Sequence, residues 1–309
     1  MELFDSEEYP ALARLTGALL AIWPEHAGFI RKSIPTDDSS SLVYANDLAT
    51  MIDRLVAGKL EALSKDYRWT CEQLLEEELH FRRTGAYRLS SFADAEREVY
   101  SNPKFMGGYV NGLLLSHLFW RNHRQVFRSY SERFLARLPA DFHHLEIGPG
   151  HGLYLALAAT HPMCASATGW DVSETSTLQT KHSLGRLGVT SSVEVEQLNV
   201  LDFLDIKKKF DSIVISEVLE HLEDPDRALS NLRKLISKDG FIFVNMPVNS
   251  PAPDHIYLMR DPSEVSDLVA RNGFNILETE IFPATGYSEE RARKHAATMS
   301  CVVTATPAI

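Results

Sequence analysis

The chain has 309 residues, 44% of them apolar and 24% charged, a globular composition with length enough for two domains. Its net charge of −11 repels phosphate backbones, which argues against nucleic acid and anionic membranes as partners; Lys207, Lys208 and Lys209 form one short basic cluster that reads as a solvated loop. Three widely spaced cysteines, Cys71, Cys164 and Cys301, suggest neither a disulfide framework nor a zinc site, the opening MELFDSEEYP has no signal-peptide core, and no apolar run reaches the ~20 residues that span a bilayer, so a cytoplasmic protein is expected.

Residues 1–139 carry helical periodicity and few β-branched runs. Helices are expected over 4–23, 45–64, 70–84 and 91–99, with a loop at 33–41 and then one long helix over 103–138. Along that helix Tyr109, Ser116, Trp120 and Phe127 recur at helical spacing, which is ordinarily a core stripe. The helix leads into the first strand, so one end of it approaches any ligand held there. Tyr109 is expected to close over such a ligand and Trp120 to meet a substrate; His117 and His123 carry less signal.

From residue 140 the rhythm changes. Strands are expected at 143–148, 166–172, 193–200, 210–216, 240–247, 274–283 and 299–306, and helices at 152–161, 174–187, 225–237 and 262–272. This alternation predicts an α/β fold, a Rossmann-like doubly wound and mostly parallel seven-stranded sheet. No long crossover separates the last two strands, only TGYSEERARKHAATM as a loop or short helix, so the final strand is expected to run antiparallel. The domains are read as 1–139, a helical cap or substrate domain over the sheet's ligand edge, and 140–309, the ligand-binding domain.

The stretch HLEIGPGHGLYLALAA, residues 144–159, places Gly148, Gly150 and Gly152 in a tight turn between a strand and a helix. Such a turn brings backbone close to a nucleotide-like ligand. A dinucleotide fingerprint needs G-x-G-x-x-G, and here the third glycine comes one residue early. A carboxylate at Glu146 is also an odd neighbour for a pyrophosphate. The spacing suits a ligand without phosphates.

LEIGPGHG resembles the first motif of class I S-adenosylmethionine-dependent methyltransferases, and later segments continue the resemblance in order. Asp171, in TGWDVS, stands where the family has its ribose-binding acid. In LNVLDF (198–203) Asn199 holds the position of an acid at the adenine amino group, with Asp202 as the fallback. FDSIVISEVLEHLEDP (210–225) and the 241–274 segment are similar to the family's ubiquinone-methyltransferase-like branch. The resemblance covers roughly 140–309 and implies S-adenosylmethionine as methyl donor and S-adenosylhomocysteine as product; the histidines form no HExxH or other metal-ligand motif and no cysteines pair, so no required metal is expected. It implies cofactor contacts at Glu146, Gly148, Gly150, Gly152, Asp171, Val172, Asn199, Val200, Ser216 and, from the helical half, Tyr109.

Methyl transfer to an O, N or acidic C nucleophile releases a proton, so a base is expected. His255, in the proline-rich PAPDHIY loop, is the first candidate and His221 the second. Glu217, the third catalytic candidate, stands four residues before His221 and is expected to share a helical face with it. Tyr257 and Trp120 are the expected substrate contacts. The partner expected is a small molecule, and a homodimer is compatible with the sequence. Two other readings stay open: a non-catalytic protein that keeps the cofactor fold, and an NAD-dependent oxidoreductase.

Overall fold

The computed structural model describes residues 3–56, 58–190, 193–202 and 207–308. In chain order the elements are α1 (Pro10–Ile22), α2 (Ala27–Ser33), α3 (Ser39–Val56), α4 (Leu60–Thr84), α5 (Phe92–Ala95), α6 (Pro103–Phe119), α7 (Arg121–Arg128), β1 (Phe142–Ile147), α8 (Leu153–Ala159), β2 (Cys164–Asp171), α9 (Glu174–Leu187), β3 (Val193–Gln197), β4 (Phe210–Ser216), α10 (Pro225–Leu235), β5 (Ile236–Val248), α11 (Pro262–Arg271), β6 (Phe274–Pro283), α12 (Glu289–Lys294) and β7 (Met299–Pro307). They fall into two compact units. One comprises Met1–Gln125, Ser250–Ile256 and Phe282–Thr298; the other comprises Val126–Asn249, Tyr257–Ile281 and Met299–Ile309.

The second unit is a seven-stranded sheet in the order β3-β2-β1-β4-β5-β7-β6. β1 pairs in parallel with β2 and β4, β2 with β3, and β4 with β5, whereas β7 runs antiparallel to β5. The central strands are buried on both faces, as helices on both sides require: Ile213, Val214, Ile215, Ile242, Phe243 and Val244 are all fully inaccessible. Strand order reverses between β1 and β4, so the crevice beyond their carboxyl ends is the ligand position this topology favours.

The first unit is helical. At its centre Tyr67 is fully buried; its hydroxyl meets His26 Nε2 at 3.0 Å and accepts a hydrogen bond from Trp120 Nε1 at 3.0 Å. Arg124 is buried beside Ser33, whose hydroxyl accepts from its guanidinium at 3.1 Å.

Several helix boundaries differ from expectation. The long helix over 103–138 is three pieces: α6 stops at Trp120, whose backbone is extended (φ −98°, ψ 127°), α7 follows, and a wider π turn over Ser129–Phe134 leads to a short 3-10 turn. No proline or glycine marks that break; Trp120 turns its indole to Tyr67 there. The first of the three stretches of the helical unit ends at Gln125, inside α7. The expected 33–41 loop is shorter, because Asp38 caps the backbone N–H of Ser41 (3.1 Å) and α3 begins at Ser39. The helices expected at 45–64 and 70–84 break instead at Gly58, which has φ +84°.

Candidate functional site

β1 delivers the chain into the glycine turn at the switch point. Gly148, Gly150 and Gly152 have φ of +66°, +49° and +71°, the left-handed region that L side chains rarely adopt. Gly148 is further constrained, since a Cβ there would lie 2.6 Å from Val218 Cγ2. At Gly150 the nearest atom to such a Cβ is 4.0 Å away, so the turn has open space on that side. The turn is pinned by Gly148 N–H donating to the Trp170 carbonyl (2.8 Å) and by the Thr180 hydroxyl donating to the Gly150 carbonyl (2.8 Å).

Glu146 is 3% exposed, and burial pushes its carboxyl well above the usual carboxylate range. The backbone N–H of Leu155, in the first turn of α8, opposes that shift by hydrogen bonding to the carboxylate. Its Oε2 has no hydrogen-bond partner among the described residues. A buried, unsatisfied carboxylate oxygen costs stability unless a ligand donates to it.

Asp171 ends β2. Burial raises its carboxyl, and Oδ1 accepts from the Ser173 N–H at 2.9 Å. Val172 beside it is 54% exposed, an apolar surface at the strand end. β3 stops at Gln197, so Leu198, Asn199 and Val200 form a loop rather than the end of a strand. Asn199 Oδ1 accepts from the Leu201 N–H at 2.9 Å, so the acceptor expected at an adenine amino group is shared with a local turn. Val200 is buried, and its carbonyl accepts from Asn231. Asp202 is exposed, and Phe203 of the LNVLDF motif lies outside the described residues.

At the end of β4, Asn245 organises two of the expected residues. Its Nδ2 donates to Ser216 Oγ at 3.0 Å and to Glu217 Oε1 at 2.8 Å, while Glu217 N–H donates to the Asn245 carbonyl at 3.0 Å. Asn245 is 2% exposed, and its Oδ1 has no partner among the described residues. Sequence reading missed it, although an Asn inside FIFVNMP is a signal. Glu217 is not on a helix: it has φ +54°, and only Leu219–His221 form a short 3-10 turn. The shared Glu217–His221 face is therefore a misreading, because the left-handed Glu217 turns the chain before the helical turn starts. His221 Nε2 lies 3.8 Å from Glu220 Oε1. Tyr257 N–H donates to the Glu220 carbonyl at 2.9 Å, and the Tyr257 hydroxyl is engaged by the Arg271 guanidinium, which also forms a bidentate pair with Asp226 (both 2.7 Å).

Three expected residues belong to the helical unit. Trp120 directs its N–H to Tyr67, an internal contact of that unit. Tyr109 is 2% exposed and donates to Asp254 Oδ1 at 3.0 Å; Tyr100 reaches Asp254 Oδ2 at 3.4 Å. His255 is 7% exposed, with Nδ1 2.7 Å from the Ser250 carbonyl and the Tyr87 ring edge-on at 5.9 Å. The Tyr87 hydroxyl accepts from Ser250 N–H at 3.0 Å. The chain enters this loop at Asn249, left-handed at φ +47°, whose side chain donates to the Arg260 carbonyl at 2.9 Å.

Within the α/β unit the switch point therefore gathers acceptors: Glu146, Asp171, Ser216, Glu217 and Asn245. That set fits a phosphate-free ligand that is cationic and carries amino and hydroxyl donors, and it opposes a pyrophosphate. S-adenosylmethionine has those features.

The family described as "Methyltransferase domain" matches residues 145–242. An uncharacterized protein of Synechococcus is 30% identical over 100 residues, covering 32% of this chain and 24% of that protein. The ubiquinone biosynthesis O-methyltransferase of Coxiella burnetii is 27% identical over 129 residues, covering 42% of this chain and 53% of the relative. The chain thus spans about a quarter and about half of those two curated relatives. Among solved structures, the S-adenosylmethionine-dependent methyltransferase SibL aligns with a TM-score of 0.54 at 14% identity, over 81% of this chain and 74% of that one. The mitomycin 7-O-methyltransferase MmcR aligns with a TM-score of 0.53 at 16% identity, over 88% and 76%. At such identities the likeness is one of fold. Among the described residues no helix is long and apolar enough to cross a membrane.

Proposed function

We propose that this chain, whose residues 145–242 belong to the methyltransferase-domain family, transfers a methyl group from S-adenosylmethionine to an oxygen, nitrogen or acidic carbon of a small molecule. The observation that carries the reading is the unsatisfied buried Glu146 Oε2 beside a turn of three left-handed glycines. Glu146 and the turn would hold the amino-acid part of the cofactor, Asp171 the ribose hydroxyls, and Val172, Asn199 and Val200 the base. When bound, the cofactor supplies a methyl carbon already activated by its sulfonium.

The chain's own work is then alignment and proton removal. Holding nucleophile and methyl carbon in line recovers ~7–11 kcal/mol of the barrier. His255 is the preferred base. Its Nδ1 faces a carbonyl that can only accept, so Nδ1 carries the hydrogen and Nε2 the basic lone pair. His221 is the second candidate. In this reading the helical unit, which carries His255, selects the substrate.

Calorimetric titration with S-adenosylmethionine, S-adenosylhomocysteine and NADH tests the reading. Micromolar binding of the first two and none of NADH is the expected result; binding of NADH alone overturns it.

A further inference from the structure

In the helical unit, α4 is buried along one side and bare along the other. Inward it packs through Leu63, Tyr67, Thr70 and Phe81, and a Cβ at Gly112 of α6 would collide with the Thr70 side chain, so that side is filled by its neighbours. The outer side is a ridge of Arg68, Glu72, Leu75, Leu79 and Arg82, at successive steps of four, three, four and three residues, a spacing that stacks them in one row along the helix. Leu75 is 58% exposed and Leu79 47%. Of the eight large apolar side chains that are exposed among the described residues, these two alone lie one turn apart on the same helix.

The ridge is symmetric about position 77. Leu75 and Leu79 stand two residues to either side of it, and Glu72 and Arg82, opposite in charge, five residues to either side. A second copy of α4 laid antiparallel about a two-fold axis at that level sets Leu75 against Leu79 of the copy and Glu72 beside Arg82 of the copy, and symmetry repeats both contacts. A parallel copy would set Glu72 beside Glu72 and Arg82 beside Arg82, so the charges select the antiparallel pairing. Both groups have capacity for it. Glu72 Oε1 accepts from Arg68 Nε at 3.1 Å, Arg82 Nε donates to Glu78 at 2.6 Å, and Arg82 Nη1 donates to the His295 carbonyl, so Glu72 Oε2 and Arg82 Nη2 make no hydrogen bond among the described residues. Glu76 and Glu78 project about 80° to either side of the ridge, off the line of contact.

We propose that the outer face of α4 is a self-association surface, on which a second copy of this chain docks antiparallel, Leu75 on Leu79 and Glu72 on Arg82. A pattern that is its own complement identifies the occupant as another copy rather than an unrelated partner. From Glu72 to Arg82 the ridge is only ~15 Å long and buries less than the ~1,200 Å² of a standard complex, so the dimer is weak, with a dissociation constant on the order of tens of micromolar. The pairing does not depend on methyl transfer and stands or falls apart from it.

Equilibrium sedimentation of the full chain from about 5 to about 500 µM is expected to show a monomer–dimer equilibrium. Leu79→Lys, Glu72→Arg and Arg82→Glu should each raise the dissociation constant at least ~10-fold, the last two by setting like charges together twice in every dimer. All three positions are on the surface, and thermal melts establish that each variant is folded. Combining Glu72→Arg with Arg82→Glu restores the complementarity and should restore the dimer. Mixing the two single variants should also give a dimer, one copy of each, because one ridge then ends in positive charges and the other in negative ones; a role of either residue inside its own chain would produce no such rescue. A monomer at every concentration overturns the proposal. So does a dimer that survives Leu79→Lys or either charge reversal, and so does a double variant or a mixture that stays monomeric.

Discussion

Tyr109 and Asp254, 145 positions apart in the sequence, are joined by a 3.0 Å hydrogen bond from the phenol to the carboxylate. With Tyr100 on the other carboxylate oxygen and Tyr87 on Ser250, three tyrosines anchor the loop that carries His255. In the proposed reading they position that histidine rather than touch a reacting atom. Asp254→Asn and Tyr109→Phe are expected to lower turnover by roughly 10- to 100-fold while cofactor affinity stays within about twofold, because small displacements of a base cost that much. Steady-state kinetics paired with calorimetry separates the two; an equal loss in both quantities would make the contact a general support of the fold.

Two glycines with left-handed backbone allow a controlled comparison. Gly148 has φ +66° and no room for a Cβ, whereas Gly58 has φ +84° and nothing within 4 Å. Gly58→Ala should cost only the backbone strain, about 1–2 kcal/mol. Gly148→Ala adds the Val218 collision, for about 1–3 kcal/mol more, and should abolish cofactor binding. Thermal melts of the two variants, with and without S-adenosylhomocysteine, measure both effects.

Glu146 should trade stability for binding. Its folded pKa is raised by burial, so its favourable contribution is full below the unfolded value near 4.5 and is lost as pH rises through the folded value. Glu146→Gln is therefore expected to raise stability at pH 8 by about 1–3 kcal/mol, with a smaller gain at pH 5, and to weaken cofactor binding. Urea denaturation at the two pH values, with calorimetry at pH 8, checks the sign. A destabilised variant at pH 8 would mean that the buried oxygen is satisfied in solution.

His144 should make the α/β unit acid-sensitive. It is fully buried on β1, with Nδ1 2.9 Å from Ser212 Oγ, and burial pushes its pKa down to about 3. The unfolded chain takes up a proton near pH 6.5 that the fold refuses, so stability is present above 6.5 and is lost as pH falls from there toward 3. By pH 5 the loss from this residue is ~2 kcal/mol. His26, pushed down to about 4, gives the helical unit an acid sensitivity of its own. His144→Asn should flatten the fall of the urea midpoint between pH 7.5 and 5; an unchanged slope would assign the acid loss to other groups.

The α/β unit was legible because its signals are local. Each strand is an apolar run closed by turn residues, and all seven expected strands overlap the observed ones, with β3 shorter because Leu198 leaves the sheet. The turn at 148–152 was legible because the left-handed backbone there leaves few residue types other than glycine. What stayed hidden depends on distant partners. Trp120 breaks the long helix for the sake of Tyr67, 53 residues away. Glu217 and His221 look like a helical pair until the left-handed φ of Glu217 separates them. Tyr109 read as a ligand lid because nothing nearby announces Asp254. Asn245 went unnoticed because a single buried amide inside an apolar strand has no periodicity of its own.

The helical unit is assembled from three stretches of chain, the last ending at Thr298. A ribosome therefore finishes the α/β half's first five strands before the earlier-made helices can be completed. Until then Tyr87, Tyr100 and Tyr109 wait without Ser250 and Asp254, and only after Thr298 does β7 emerge to complete the sheet between β5 and β6. Cutting the gene at residue 139 would sever parts of a single body: a fragment 1–139 lacks both inserts, and a fragment 140–309 carries them with nothing to receive them.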